Sequence, residues 1–395
     1  MRISVIALWL VAVVTIAGCG STASTSDPST TEAAATETTT TAEQPATGTA
    51  GSVTPVAQQL NACQQFVGNL PLRRKLAQLL TVGVTDASDA GSVVSGEQVG
   101  GIFVGSWTDL SMLTNGALAG VVGAAPIAPF VTVDEEGGRV SRLSSIIGTA
   151  PAARVLPQQF TPEEVYQQAF ERGTAMRQLG ITIDFAPVVD VSSQADNTVI
   201  GDRSFSADLN VVTQYATQYA NGLRDAGIMP VLKHFPGHGS ASGDSHLGGV
   251  STPPLAQMQT VDLVPYRAMV PTAQAVMIGH LDVPGLTGAG QPASISPAAM
   301  SLLRDGIGYG AAPFDGLIFT DDLSGMQAMT DLLSVPDAVT AALVAGADVA
   351  LWITTAEVSA VLDRLEQAVA SGELSMQRVD ASMTRVARAK GVGAC

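Results

Sequence analysis

The chain has 395 residues and a formal net charge of −16, with 46% hydrophobic and only 14% charged residues. So acidic a balance tells against nucleic acid and anionic membrane surfaces as partners, because both select for basic patches. The apolar content suffices for one large folded domain or two ordinary ones.

The first segment, "MRISVIALWLVAVVTIAGCG", carries one positive charge at Arg2 and then an apolar run ending in small residues. That is the layout of an export signal. Ile16-Ala17-Gly18-Cys19 resembles the lipobox of bacterial lipoproteins, which implies a signal peptide over 1–18 and a lipid on Cys19. The alternative is an uncleaved anchor, for which Ile3–Gly18 is short against the roughly 20 apolar residues that cross a bilayer. Residues 19–52 are rich in Ser, Thr and Ala and lack the large apolar side chains that close a core, so they read as a disordered tether. The folded domain is expected over 53–395, held to the outer face of a bacterial cytoplasmic membrane by its lipid alone. A monomer is expected.

Two further cysteines, Cys63 and Cys395, fall at the two ends of that domain. In an oxidising compartment an even remainder suggests a disulfide. Two free thiols are the alternative, since sequence does not supply their separation.

Between them, strand-like apolar runs alternate with amphipathic helical ones. The strand candidates are "QLLTVGV", "VGGIFVG", "IAPFVTVD", "ITIDFAPVVDV", "IMPVLKHF", "QAVMIGHLDV", "DGLIFTDD" and "DVALWIT". One intervening helix opens with Thr161 as N-cap, Pro162 at the first position and Glu164 at the third. Another is expected to open at Ser206 and to end at Gly227. Eight βα-like units in one unbroken domain predict a (β/α)8 barrel. A doubly wound sheet is the alternative, but no Gly-rich phosphate loop follows the first strand. On a barrel, the polar strand ends Asp134, Asp190, Lys233 with His234, His280, and Asp321 with Asp322 converge on one face, where active sites are built.

"KHFPGHGSASGDSH" (233–246) holds three of the four histidines. His234 and His238 have the four-residue spacing of helical metal ligands. Pro236 and Gly237 forbid a helix between them, however, and no Cys or Glu stands close in sequence, so neither a metal nor another cofactor is expected. Asp244 two residues before His246 suits an acid–base pair, in which a carboxylate fixes the tautomer of an imidazole. An incidental surface histidine is the plainer alternative. Asp321 or Asp322 could likewise be a helix cap.

Taken together, "VDEEGGRVSRL", "IDFAPVVDV", "GDRSFS", "KHFPGHG", "GDSH" and "FDGLIFTDDLSGM" closely resemble the single-domain bacterial β-N-acetylglucosaminidases of glycoside hydrolase family 3. The resemblance spans roughly Leu76 to Arg388. It implies a (β/α)8 barrel and retaining hydrolysis of terminal β-linked N-acetylglucosamine, with peptidoglycan fragments as the substrate of exported members. By the same resemblance Asp321 is the nucleophile, with Asp322 its neighbour, and His246 is the general acid/base paired with Asp244. Asp134, Arg142, Arg203, Lys233 and His234 match the family's sugar-holding residues. His238 is left structural, bonding the loop backbone, and His280 either lines the pocket or packs in the core. Two departures stand out: Glu135 occupies a position where many relatives have Gln, and "HLGGV" after the Asp244–His246 dyad is unusually rich in glycine. A β-N-acetylglucosaminide phosphorylase and a non-catalytic glycan-binding lipoprotein are the competing readings.

Overall fold

The computed structural model describes residues 55–395, with side chains from residue 62 onward. The expected signal peptide, lipidated Cys19 and tether lie outside the described residues. Eight parallel strands close a barrel: β1 (Leu80–Val84), β2 (Gly101–Val104), β3 (Phe130–Val133), β4 (Ile183–Asp184), β5 (Met229–Phe235), β6 (Ala275–Ile278), β7 (Leu317–Asp322) and β8 (Val349–Trp352). Each strand pairs with the next in sequence. Thr81 of β1 stands opposite both Gly101 of β2 and Leu351 of β8, which closes the ring. The strands are apolar and buried almost throughout because side chains fill the barrel on one face and helices cover the other. The fold is therefore a (β/α)8 barrel.

Each of the eight apolar runs contains one barrel strand, but the fourth differs in extent. Of Ile181–Val191, only Ile183–Asp184 forms a regular ladder. Pro187 lacks an amide donor, so the chain beyond β4 keeps only isolated contacts with β5, including Val189 N–H to the Lys233 carbonyl at 2.8 Å. The helix Pro162–Gln178 begins with the expected capping box of Thr161 and Glu164. The helix expected from Ser206 instead begins at Leu209, because the Asp208 carboxylate accepts the Asn210 amide and caps it; Ser206 accepts the Asp208 amide one turn earlier.

The barrel interior is filled partly by the rings of Phe103, Phe185 and Phe319, with centroids 5.8 and 5.5 Å apart. They form an apolar floor below the C-terminal mouth. At the opposite rim, the fully buried Asp348 receives Arg304, Arg378 and Arg385, together with the Ile318 amide. Charge at that end serves the structure of the rim. The helix Pro55–Asn69 packs on the helix Met376–Lys390, and a disulfide joins Cys63 to Cys395 across 332 residues of chain.

Candidate active site

The chain leaves β3 into a short hairpin, Glu135–Gly137 paired with Val140–Ser141. Alternation along an extended chain sends neighbouring side chains in opposite directions. Glu135 turns inward, fully buried, onto Arg172, the Ser141 hydroxyl and the Leu143 amide. The departure from the family pattern at this position thus belongs to the scaffold. Asp134 and Glu136 turn toward the mouth. Lys233, at the end of β5, reaches both: its Nζ lies 2.6 Å from Asp134 Oδ1 and 2.5 Å from Glu136 Oε1. Arg203, on the turn Gly201–Arg203 after β4, closes on Glu136 with a bidentate pair at 2.8 and 2.9 Å. Burial opposes ionisation of Glu136, but Arg203 and Lys233 outweigh it and hold the carboxyl well below its ordinary range. Burial likewise works against the Lys233 ammonium, and Asp134 and Glu136 reverse that, raising its pKa.

A second carboxylate orders the neighbouring histidine. Asp190 Oδ2 lies 2.7 Å from His234 Nδ1, and Oδ1 accepts the backbone amides of His234 at 3.3 Å and His238 at 2.7 Å. A carboxylate only accepts, so His234 carries its proton on Nδ1. Its Nε2 then faces the Arg203 guanidinium at 3.3 Å. With one ring nitrogen on Asp190 and the other against a cation, His234 is poorly placed to ligate a metal. Among the described residues no group of three or more His, Cys, Asp or Glu side chains could hold one.

The loop after β5 begins rigid and ends open. A Cβ at Gly237 would lie 2.4 Å from the Asp262 side chain, and one at Gly239 would lie 2.1 Å from the Val191 carbonyl. These two glycines are demanded by close packing, whereas Gly248 and Gly249 face open space. Room around the glycines is therefore confined to the later part of the loop. There the dyad sits half in solvent: His246 Nδ1 is 2.7 Å from Asp244 Oδ1, with side-chain exposures of 53% and 36%. Asp244 also accepts the His246 amide at 3.0 Å, so a two-residue turn sets the pair. The His238 ring differs from expectation. Both its nitrogens are buried without a partner, and only its backbone bonds: the amide donates to Asp190 and the carbonyl accepts the Ala241 amide. Burial pushes its pKa down, leaving a neutral packed ring.

At the end of β7 the adjacent acids divide their tasks. Asp322 accepts the Ser324 amide and hydroxyl and the Gly325 amide, which makes it the turn-forming residue. Asp321 accepts only the Asp322 amide, at 2.9 Å, and otherwise faces the cavity. Burial raises its pKa, but His234, His280, that amide and Lys233 together bring the carboxyl below its usual value. His280 does not line this cavity. It is buried between the Ser294 hydroxyl and the Asp322 carbonyl, both at 2.7 Å, and supports the turn from behind.

The structure brings Asp134, Arg142, Arg203, Lys233, His234, Asp244, His246 and Asp321 to the wall of one cavity of about 420 Å³ at the barrel mouth. Arg142 presents a buried Nε without a partner in the protein. Sequence reasoning missed Glu136, although parity with Asp134 along the extended chain would have found it. It saw Asp190 as a strand end without seeing that it orders His234.

Two titrations follow from these environments. Because the folded pKa of Glu136 is depressed, its stabilisation is complete above the ordinary value of 4.5 and fades as pH falls below it. Glu136→Gln leaves two buried cations without their shared anion and should cost about 3 kcal/mol at pH 7 in urea unfolding. That deficit should narrow below pH 4.5; a deficit independent of pH would contradict the ion-pair assignment. Asp262 has the opposite sign. Its carboxylate is buried and lacks a partner in hydrogen-bond geometry, and burial pushes its pKa from 3.8 to about 7. It destabilises the fold progressively as pH rises from 3.8 to 7. Asp262→Asn should therefore stabilise by about 2 kcal/mol more at pH 8 than at pH 5; equal effects at both would exclude a titrating Asp262.

The chain is similar to several known proteins over most of its length. The model of the glycosyl hydrolase family 3 N-terminal domain matches residues 71–389. Beta-hexosaminidase LpqI of Mycobacterium tuberculosis is 59% identical over 352 residues, which cover 87% of this chain and 90% of that protein. A solved family 3 glycosyl hydrolase from Mycobacterium smegmatis is 62% identical with a TM-score of 0.81, covering 82% of this chain and 98% of its own. The family 3 β-N-acetylglucosaminidase of Paenibacillus sp. is 31% identical with a TM-score of 0.74, over 82% of this chain and 63% of its own. The chain is thus a glycoside hydrolase and belongs to glycosyl hydrolase family 3.

Proposed function

We propose that this enzyme is a retaining exo-β-N-acetylglucosaminidase that removes terminal β-linked N-acetylglucosamine from peptidoglycan fragments. The observation that carries the reading is the pairing, across one cavity, of a buried ionised carboxylate at Asp321 with a half-exposed imidazole dyad at Asp244–His246. LpqI, at 59% identity, carries the name beta-hexosaminidase, and the Paenibacillus relative is a β-N-acetylglucosaminidase.

On this reading Asp321 attacks the anomeric carbon as the glycosidic bond breaks, and a covalent glycosyl-enzyme forms. His246 protonates the departing oxygen through Nε2, while Nδ1–H is held by Asp244. It then takes a proton from the water that releases the sugar. An imidazole has an ordinary pKa of about 6.5, near working pH, and can give and recover a proton without strong tuning. It also adds no second negative charge near Asp321. The clamp of Asp134, Lys233, His234 and Arg203 binds hydroxyls of the cleaved sugar, and the unpartnered Arg142 Nε offers a further donor. The chain works as a lipid-anchored monomer outside the cytoplasm, its lipid on Cys19.

Products identify the reaction. Mass spectrometry of digested wall fragments should find free N-acetylglucosamine; N-acetylglucosamine-1-phosphate as the main product in phosphate buffer would overturn hydrolysis. Asp321→Asn should lower kcat on an aryl β-N-acetylglucosaminide by at least about 10³-fold. His246→Ala should cost about 10²–10⁴-fold, less than the nucleophile change if the aryl leaving group needs little protonation. Unchanged turnover in both variants would contradict the assignment.

A further inference from the structure

We infer that Trp107 forms a binding platform for the group that departs, the sugar ring next to the scissile bond on its reducing side; the inference rests on the hydrolase reading above. Exposed large hydrophobic side chains among the described residues are few, and Trp107, 42% exposed, is the one that lines the active-site cavity. An indole left half in water at a cavity rim forgoes burial that the fold could have provided.

The indole is mounted, not loose. Its ring lies so close to Gly105 that a Cβ there would come 2.4 Å from the six-membered ring. Gly105 does not have a left-handed φ, so the contact with the indole, and not the backbone conformation, calls for glycine. Phe103 supports the ring from a centroid distance of 5.9 Å. The buried Thr108 hydroxyl accepts the Gly105 amide at 3.0 Å and donates to the Val84 carbonyl at 2.6 Å, which pins the turn to the end of β1. A rigid aromatic surface loses little freedom on binding, and the apolar C–H face of a pyranose is a fitting partner for it.

The position selects the departing group over the cleaved sugar. Clamp residues lie deeper: Lys233, His234, Arg203 and Asp134 have side-chain exposures of 3%, 6%, 13% and 22%. His246 and Trp107 are both at the rim, with His246 at 53%. The general acid must stand beside the leaving oxygen, so the leaving group occupies the rim, and Trp107 is the exposed aromatic surface lining the cavity. The ligand class is a β-linked disaccharide or longer glycan whose second ring presents a C–H face.

The test separates the two rings. Trp107→Ala should raise KM for a β-1,4-linked N-acetylglucosamine disaccharide roughly ten-fold with little change in kcat. The KM for methyl β-N-acetylglucosaminide, which lacks a second ring, should stay the same. Trp107→Phe should keep most of the disaccharide affinity. Equal loss on both substrates, or no loss on either, overturns the platform. A second readout does not need turnover. Of the other two tryptophans, Trp352 is fully buried and Trp9 falls in the segment expected to be removed as a signal peptide, so disaccharide added to the mature Asp321→Asn protein should shift tryptophan emission through Trp107, and Trp107→Phe in that background should abolish the shift. If the unaltered enzyme turned over neither glycoside, the hydrolase reading would fail while the titration still decided the platform.

Discussion

The site depends on one buried ammonium. Lys233 leaves the end of β5 and is shared by Asp134 and Glu136, both carried by the chain leaving β3, while Arg203 from beyond β4 holds Glu136 from its other side. Strand ends that are not adjacent in sequence are thereby tied by charge within a few ångströms. Each ion alone would be costly to bury, and breaking such a pair typically costs several kcal/mol. The knot is stable because every charge in it is answered. Its consequence is a preset arrangement of donors and acceptors around the place where a sugar would sit, requiring little reorganisation on binding.

Around this fixed centre the structure grades from closely packed to open. Asp190 orders His234 and also takes the His238 amide, so the charge cluster at the mouth and the start of the dyad loop share one anchor. Tight packing at Gly237 and Gly239 extends that anchoring into the loop. Only past Gly243 does the chain open, and the Asp244–His246 pair sits there. On the proposed mechanism the division is useful: the nucleophile and clamp stay in register, while the proton carrier can adjust between the two chemical steps. With a histidine as the proposed acid, no further carboxyl group has to serve beside Asp321. In that setting the lowered Asp321 pKa can be upheld by His234, His280 and Lys233.

Much of the fold was legible because period and polarity repeat over many residues: all eight strands lie within the apolar runs, and the Thr161–Glu164 capping box stands where its motif places it. What escaped the sequence depends on single contacts. The fourth strand is cut short where Pro187 removes a donor, and a helix begins at Leu209 because Asp208 accepts the Asn210 amide of its first turn, whereas the Ser206 hydroxyl accepts only the Asp208 amide. The cluster at the mouth was legible through motifs, yet Glu136 was hidden beside Glu135. Only the direction of a side chain separates a scaffold acid bound to Arg172 from a site acid bound to Lys233 and Arg203. The glycines of the loop look alike in sequence and differ wholly in their neighbours.

The central claim is that Asp321 becomes covalently glycosylated. Intact-protein mass spectrometry after reaction with a fluorinated β-N-acetylglucosaminyl donor, whose glycosyl-enzyme breaks down slowly, tests it most directly. The account predicts one added sugar mass, mapped by peptide sequencing to Asp321 and absent from Asp321→Asn. An adduct on another residue, or turnover of the donor with no adduct while Asp321→Asn remains active, would contradict it.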